Sequence, residues 1–216
     1  PQVSTPVQIT LTAVIELAGE RSENSWPLWV FPSDPWDGVA PIRLDDPTRR
    51  LRGLEVLAAI TSQEESVVVA TAWTSALEAH VRKGGRTILL TGYGDAGPFP
   101  SVATPFWREA VKVIEAHPAW LDFPHNGWTD LQFFGVAPDH ALDTAALVDV
   151  KAILRRVDAR TMAVLDYAVE LPLEQGRLIV STLRFEGGLG EQPMGIQRNT
   201  AGAYLLRCWL TYLQGL

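Results

Sequence analysis

The sequence predicts an α/β fold: a mostly parallel sheet flanked by helices, with a short β segment ahead of it. Three observations predict this. Residues 1–31 alternate apolar and polar with period 2. From about residue 32, short apolar runs alternate with helical patterns. One stretch, residues 67–91, has the length and punctuation of a strand–helix–strand unit. A chain of 216 residues suits one large domain or one domain with an appendage. The expected division is a β segment over 1–31 and an α/β domain over 32–216.

The elements follow in order. Val7, Ile9, Leu11, Ala13, Ile15 and Leu17 alternate with mostly polar neighbours, which predicts a strand ending at a Gly19–Asn24 turn. Trp26–Phe31 is a second extended run. Two strands alone are marginal in water, so they read as the end of a β-sandwich or as strands that another domain covers. Residues 44–60 are ambiguous between strand and helix. Val67–Ala72 reads as a buried parallel strand. Ser75 and Glu78 form a capping box, Leu77 and Val81 share a helical face, and Gly84-Gly85 ends that helix. Arg86–Thr91 is the next strand. Thr104 as N-cap, Pro105 at the first turn and Pro118 as stop predict a helix with Phe106, Ala110, Val113 and Ile114 on its apolar face. Ala163–Val169 and Arg177–Leu183 read as strands. Asn199 caps a final helix over 199–213, with Gly202, Leu206, Trp209, Leu210 and Leu213 on one face. The chain is too short for an eight-stranded barrel, which takes ~250 residues.

Composition excludes some functions. The apolar fraction is 47%, which rules out a disordered chain. Twenty-five acidic residues against eighteen basic give −7, with no Lys/Arg cluster, so no nucleic-acid partner is expected. No apolar run approaches the ~20 residues of a membrane span, so the chain reads as soluble, its compartment open. One cysteine, Cys208, excludes an internal disulfide framework and a thiolate zinc cage. The chain opens Pro1-Gln2, without Met or a leader-like segment, which points to a processed chain or a piece of a longer one.

Candidate chemistry is sparse. Thr91-Gly92-Tyr93-Gly94-Asp95 stands where a strand-to-helix nucleophile would sit, but it holds no Ser or Cys and reads as a structural turn. Cys208, between Leu205 and Trp209, reads as a small buried hydrophobe. The loop Glu186-Gly187-Gly188-Leu189-Gly190-Glu191 lacks the lysine of a phosphate loop and carries two glutamates. His80, His117 and His140 stand alone and read as solvated or capping. The richest stretch is Asp122–Asp130. Asp122, His125 and Asp130 are acid–base candidates there, and Trp128 with Asn126 is a candidate binding pair for sugar hydroxyls. The plainer reading is a loop whose polar side chains satisfy their own backbone. No metal or cofactor is expected, because the spacing matches no ligand pattern.

Three stretches together carry a resemblance. They are Asn24–Pro32, the run from Thr104-Pro105-Phe106-Trp107 through His117-Pro118 and Asp122–His125 to Asp130–Phe133, and Gln175–Val180 through Asn199-Thr200. Across nearly the whole chain they resemble the C-terminal region of glycoside hydrolase family 2-type, β-galactosidase-like proteins, where a class I glutamine-amidotransferase-like (flavodoxin-like) domain follows a sugar-binding-like β domain. The resemblance implies that fold with a degenerate active site. The family's thiol would fall near Thr91 or Gly92 and its late glutamate at Glu186, with neither Cys nor His retained, and the glycosidase carboxylates would lie in a barrel outside this chain. It therefore implies a non-catalytic accessory or structural domain in carbohydrate metabolism. Its partners would be other domains of a longer polypeptide, a carbohydrate, or further copies in a homo-oligomer. The alternative is a stand-alone hydrolase using Asp122, His125 and Asp130, or Glu186.

Overall fold

The computed structural model describes residues 2–47, 49–58, 67–92, 97–104, 109–187 and 195–215. Two sheets result: a two-stranded one at the start and a nine-stranded one that forms the body.

β1 (Val7–Leu17) and β2 (Glu20–Val30) pair antiparallel along their whole length, from Val7 opposite Val30 to Leu17 opposite Glu20. The connecting residues Ala18 and Gly19 both have positive φ, +52° and +84°. That is the geometry of a two-residue primed turn, whose twist matches that of the flanking strands. Directly opposed residues share a face. One face therefore collects Val7, Ile9, Leu11, Ala13, Ile15, Leu17, Trp26, Leu28 and Val30, with Glu20, Ser22 and Asn24 toward the turn, and the other collects Gln8, Thr10, Thr12, Val14, Glu16, Arg21, Glu23, Ser25, Pro27 and Trp29. The hairpin is fixed at its base. Trp29 packs on the main core, and Phe31 lies 5.8 Å from the Phe123 ring and 5.7 Å from that of Tyr204.

The body begins with β3 (Arg43–Asp45), β4 (Val68–Ala70) and β5 (Arg86–Leu90), all parallel. Helix α1 (Ser75–Arg82) joins β4 to β5, completing the expected strand–helix–strand unit. Its cap is one residue earlier than the capping box suggests: the Thr74 hydroxyl accepts from Leu77 N–H at 3.1 Å. After β5 come β6 (Ser101–Ala103), β7 (Ala110–Ile114), β8 (His140–Leu142), β9 (Lys151–Asp158), β10 (Val164–Leu173) and β11 (Gly176–Ser181). β11 runs parallel to β5 and antiparallel to β10. β10 continues antiparallel to β9 and β8, β9 to β7, and β8 to β6. Helix α2 (Thr200–Gln214) ends the chain. The Asn199 side chain accepts from Gly202 N–H at 3.0 Å, as the sequence predicts.

The mostly parallel, flavodoxin-like sheet is therefore corrected. Parallel pairing stops at β11, and β6 to β10 make antiparallel pairs, so the sheet is mixed and strand dominates over helix. The expected helix between Thr104 and Pro118 is corrected too. Residues 105–108 lie outside the described residues, and 110–114 form β7, paired with β9. Val111, Val113 and Ile114 are β-branched and favour a strand, a propensity that the flanking prolines outweigh in the sequence reading.

The core lies on both faces of the sheet. α2 covers one, where Leu205, Leu206, Trp209, Leu210 and Leu213 are fully buried with Ile88, Ile179 and Phe133. α1 covers the other, with Leu77 and Val81 against Val68, Leu89 and Val180. The close approach of α1 to β11 requires glycine at 176, where a Cβ would stand 1.9 Å from the Val81 carbonyl oxygen.

Candidate functional site

The loop over 122–130 leaves β7 through the 3-10 turn Pro118–Trp120 and enters a second one, Leu131–Val136. Asp122, His125 and Asp130 are each engaged by a different partner. Asp122 accepts from the Tyr204 hydroxyl, from Arg207 Nη1 at 3.5 Å and from the Cys208 thiol at 3.5 Å, which ties the loop to α2. His125 Nδ1 accepts from Gly127 N–H at 3.2 Å, and its ring lies 5.4 Å from Trp120. Burial lowers its pKa. Asp130 caps the following turn by accepting from Leu131 N–H at 2.8 Å. Among the described residues no hydrogen bond or ion pair joins Asp122, His125 and Asp130. Asn126 is exposed, and Trp128 is 62% exposed with its backbone bridged to Val113. Polar side chains closing on their own backbone describe this loop.

The second candidate position is the C-terminal edge of the parallel strands. Thr91 N–H donates to Ser181 carbonyl there at 2.7 Å, and Gly92 sits where a Cβ would be 3.0 Å from Leu183 carbonyl. Tyr93, Gly94 and Asp95 of the expected turn, and 188–191 of the glycine-rich loop, lie outside the described residues. Glu186 is buried at 4% exposure and engaged. Among the described residues no group of three or more His, Cys, Asp or Glu is placed to hold a metal ion. No helix of the described residues is long and apolar enough to cross a membrane.

Cys208 is fully buried. Burial and the nearby Asp122 carboxylate push its thiol up to about 12 from 9.0. That lowers the thiolate fraction at neutral pH about 1000-fold. Iodoacetamide at pH 7.5 is expected to label Cys208 only once denaturant unfolds the chain. Complete labelling of the folded protein within minutes would contradict this.

One cluster escaped the sequence. Glu170 on β10 is buried, and its carboxylate accepts from four donor atoms. Arg177 Nε lies at 2.8 Å and Nη2 at 2.6 Å from Oε1, and the Tyr212 hydroxyl at 2.9 Å and His117 Nε2 at 3.0 Å from Oε2. Ala119 N–H donates to His117 Nδ1 at 3.1 Å, which places the ring proton on Nε2. Both ring nitrogens are thereby used, so this histidine offers neither a free base nor a metal lone pair. Burial raises the pKa of Glu170, but the donors from His117, Tyr212 and Arg177 outweigh it and hold the carboxyl at about 2. The available sequence signal is Glu170 itself, a charge inside the apolar run Val169–Leu171, which requires a partner when buried.

The hairpin leaves large apolar side chains in water. Ile9, Leu11, Ile15 and Leu17 on the hairpin face are 43%, 52%, 67% and 76% exposed. They run along the β1 half of a face whose β2 half is apolar at Trp26, Leu28 and Val30 and polar at Asn24, Ser22 and Glu20 toward the turn, and no described residue outside the hairpin covers these β1 side chains.

A family model described as a domain of unknown function, DUF8487, matches residues 68–213. No curated protein matches the sequence. Among solved structures, "Cytoplasmic Protein STM1381" of Salmonella typhimurium LT2 is similar at a TM-score of 0.44 and 12% identity. "Cytoplasmic Protein STM3548" of Salmonella typhimurium is similar at 0.42 and 11%. In both, 97% of this chain and 96% of the other are covered. The glycoside-hydrolase, amidotransferase-fold and sugar-binding expectations are accordingly corrected: the matching family has no assigned function, and the sheet is mixed rather than helix-flanked and parallel.

Proposed function

We propose that this chain, which belongs to the DUF8487 family, is a non-catalytic docking domain whose N-terminal hairpin seats its apolar face on a β-sheet domain tethered to it in the same polypeptide. The exposed apolar side of β1–β2 carries the proposal. A two-stranded ribbon is marginal by itself in water. Covering each of its large apolar side chains contributes ~1.5–3 kcal/mol, so the strands gain far more from a partner than from each other.

Size argues for a tethered domain over a second copy. Eleven residues at ~3.3 Å make a face ~36 Å long, and two strands at ~4.8 Å make it ~10 Å wide. The resulting ~350 Å² falls short of the ~800 Å² per partner of a stable free-standing interface. Tethering raises the effective concentration to the millimolar range and makes so narrow a contact sufficient. A sheet face is the complementary shape, packing ~10 Å away. The engaged state of Asp122, His125 and Asp130 supports the non-catalytic part of the reading.

The test is a Leu11→Glu, Trp26→Ser double variant of the 216-residue chain. The parent is expected to bind a hydrophobic dye and to sediment as a monomer at micromolar concentration. The variant is expected to lose most dye binding with its melting temperature within ~2 °C of the parent, because surface positions outside the core count little. Undiminished dye binding would overturn the proposal, and so would a stable dimer of the parent that the variant abolishes.

A further inference from the structure

We infer that the cleft between edge strand β3 and the C-terminal half of α1 is an anion site for the phosphate group of a small organic phosphate. The cleft has a volume of about 1100 Å³. It exists because α1 packs Leu77 and Val81 on the sheet and lines the cleft beside Leu77 and His80 with Ala76 and Ala79, side chains too small to fill the space. Gly85 shapes its floor: a Cβ there would lie 2.3 Å from His80 Nε2, so the imidazole rests directly on the Gly85 backbone.

The lining is basic in an acidic protein. Arg43, Lys83 and Arg86 line the cleft against one carboxylate, Asp45, where the whole chain carries −7. Among the described residues Arg43 and Lys83 make no ion pair. Arg82, which does not line the cleft, is paired with Glu78 at 2.8 Å and Glu174 at 2.6 Å. Arg86 donates through Nη1 to Leu213 carbonyl at 2.8 Å, which steadies the guanidinium while leaving Nε and Nη2.

Basic residues at the end of α1 also complement the helix dipole, which accounts for Lys83. It does not account for Arg43, which comes from β3. Nor do bare carbonyls await a cation there. Lys83, Gly84 and Gly85 N–H groups close on Ala79, Val81 and His80 carbonyls at 3.3, 2.9 and 3.0 Å.

His80 marks the deficit. Its Nε2 is buried without a hydrogen-bond partner, and burial, then the charge of Arg43, lowers its pKa. A dianion among Arg43, Lys83 and Arg86 neutralises the repulsion that the imidazole feels. Two guanidinium forks and an ammonium suit a tetrahedral phosphate, and the alanine flank with Leu44 and Leu77 suits the organic remainder.

The experiment follows the His80 Cε1–H resonance while inorganic phosphate, then pyrophosphate, is added at ionic strength fixed with sodium chloride. Saturable binding is expected, with the apparent pKa of His80 rising by at least ~0.5 unit as anionic charge enters. Arg43→Gln and, separately, the exposed Lys83→Gln are each expected to weaken binding at least ~10-fold, the scale of a charged hydrogen bond. Arg82→Gln is expected to leave it within ~2-fold. No saturation by ~20 mM of either anion would overturn the assignment, and so would Arg43 and Lys83 variants that bind as tightly as the parent. The outcome is independent of the hairpin.

Discussion

Replacing Glu170 by Ala is expected to cost ~2–4 kcal/mol at neutral pH, because it leaves the buried His117 and the Tyr212 hydroxyl without their acceptor and leaves the half-exposed Arg177 only its hydrogen bond to Tyr212. The same carboxylate makes stability acid-sensitive. Its folded pKa of about 2 lies below the ordinary 4.5, so the folded state binds fewer protons than the unfolded chain between those values. The stabilisation is whole above pH ~5 and is lost as pH falls through 4.5 toward 2, amounting to ~2–3 kcal/mol. Urea midpoints of the parent and of Glu170→Ala across pH 2.5–7 measure both effects. The parent is expected to fall steeply below pH 4.5, and the variant to start lower and fall less. Parallel profiles would show that another carboxylate sets the acid limit. Tyr212→Phe separates the parts further. It removes one donor and leaves Arg177 and His117 in place, so its expected cost is ~1 kcal/mol.

Trp209→Ala is expected to cost a further class of energy, ~3–5 kcal/mol, by opening a cavity where α2 meets the sheet. Trp209 is fully buried and meets Phe185 edge-on at 5.4 Å. Its indole Nε1 has no hydrogen-bond partner, so packing alone is lost. Trp209→Phe keeps most of the volume and forfeits no hydrogen bond, and is expected to cost less than half as much. Equal losses for the two variants in chemical denaturation would show that the indole nitrogen matters after all.

These two effects mark where the sequence was and was not legible. Helix α2 could be read because Asn199 is a strong cap and the apolar positions recur at helical spacing over fifteen residues. The β4–α1–β5 unit could be read because glycines and a capping residue bound each piece. β7 could not. Three β-branched residues in a run of five, without apolar–polar alternation, are too weak a signal to outweigh Pro105 and Pro118. β9 hides for a different reason: Arg155 and Arg156 stand in mid-strand, beside a register shift opposite residues 166–168. Arg156 is buried against Asp158 at 3.0 Å, and Arg155 reaches Asp166 at 3.2 Å. Ionic partners, Asp158 two residues along for Arg156 and Asp166 on β10 for Arg155, made charged residues acceptable inside a strand. The Glu170 cluster draws on four segments for the same reason. The loop over 122–130 attracted attention through its composition. Its carboxylates and imidazole serve caps, turns and the tie to α2, roles that composition does not distinguish from acid–base chemistry.

The first hairpin strand was legible from its alternation, whereas the expected Gly19–Asn24 turn is strand from Glu20 onward because Ala18-Gly19 turns the chain in two residues; the hairpin bears the central claim. Hydrogen exchange at the β1 and β2 amides tests that claim most directly, comparing the 216-residue chain with the complete product of its gene. An uncovered ribbon opens at little free-energy cost, so its amides are expected to exchange quickly in the chain alone. In the complete product they are expected to be at least ~100-fold more protected, while β5 and β11 amides stay slow in both. Equal, fast exchange of the hairpin in both would contradict the docking account. Protection that instead grew with the concentration of the 216-residue chain would give the apolar face to a second copy, and contradict it equally.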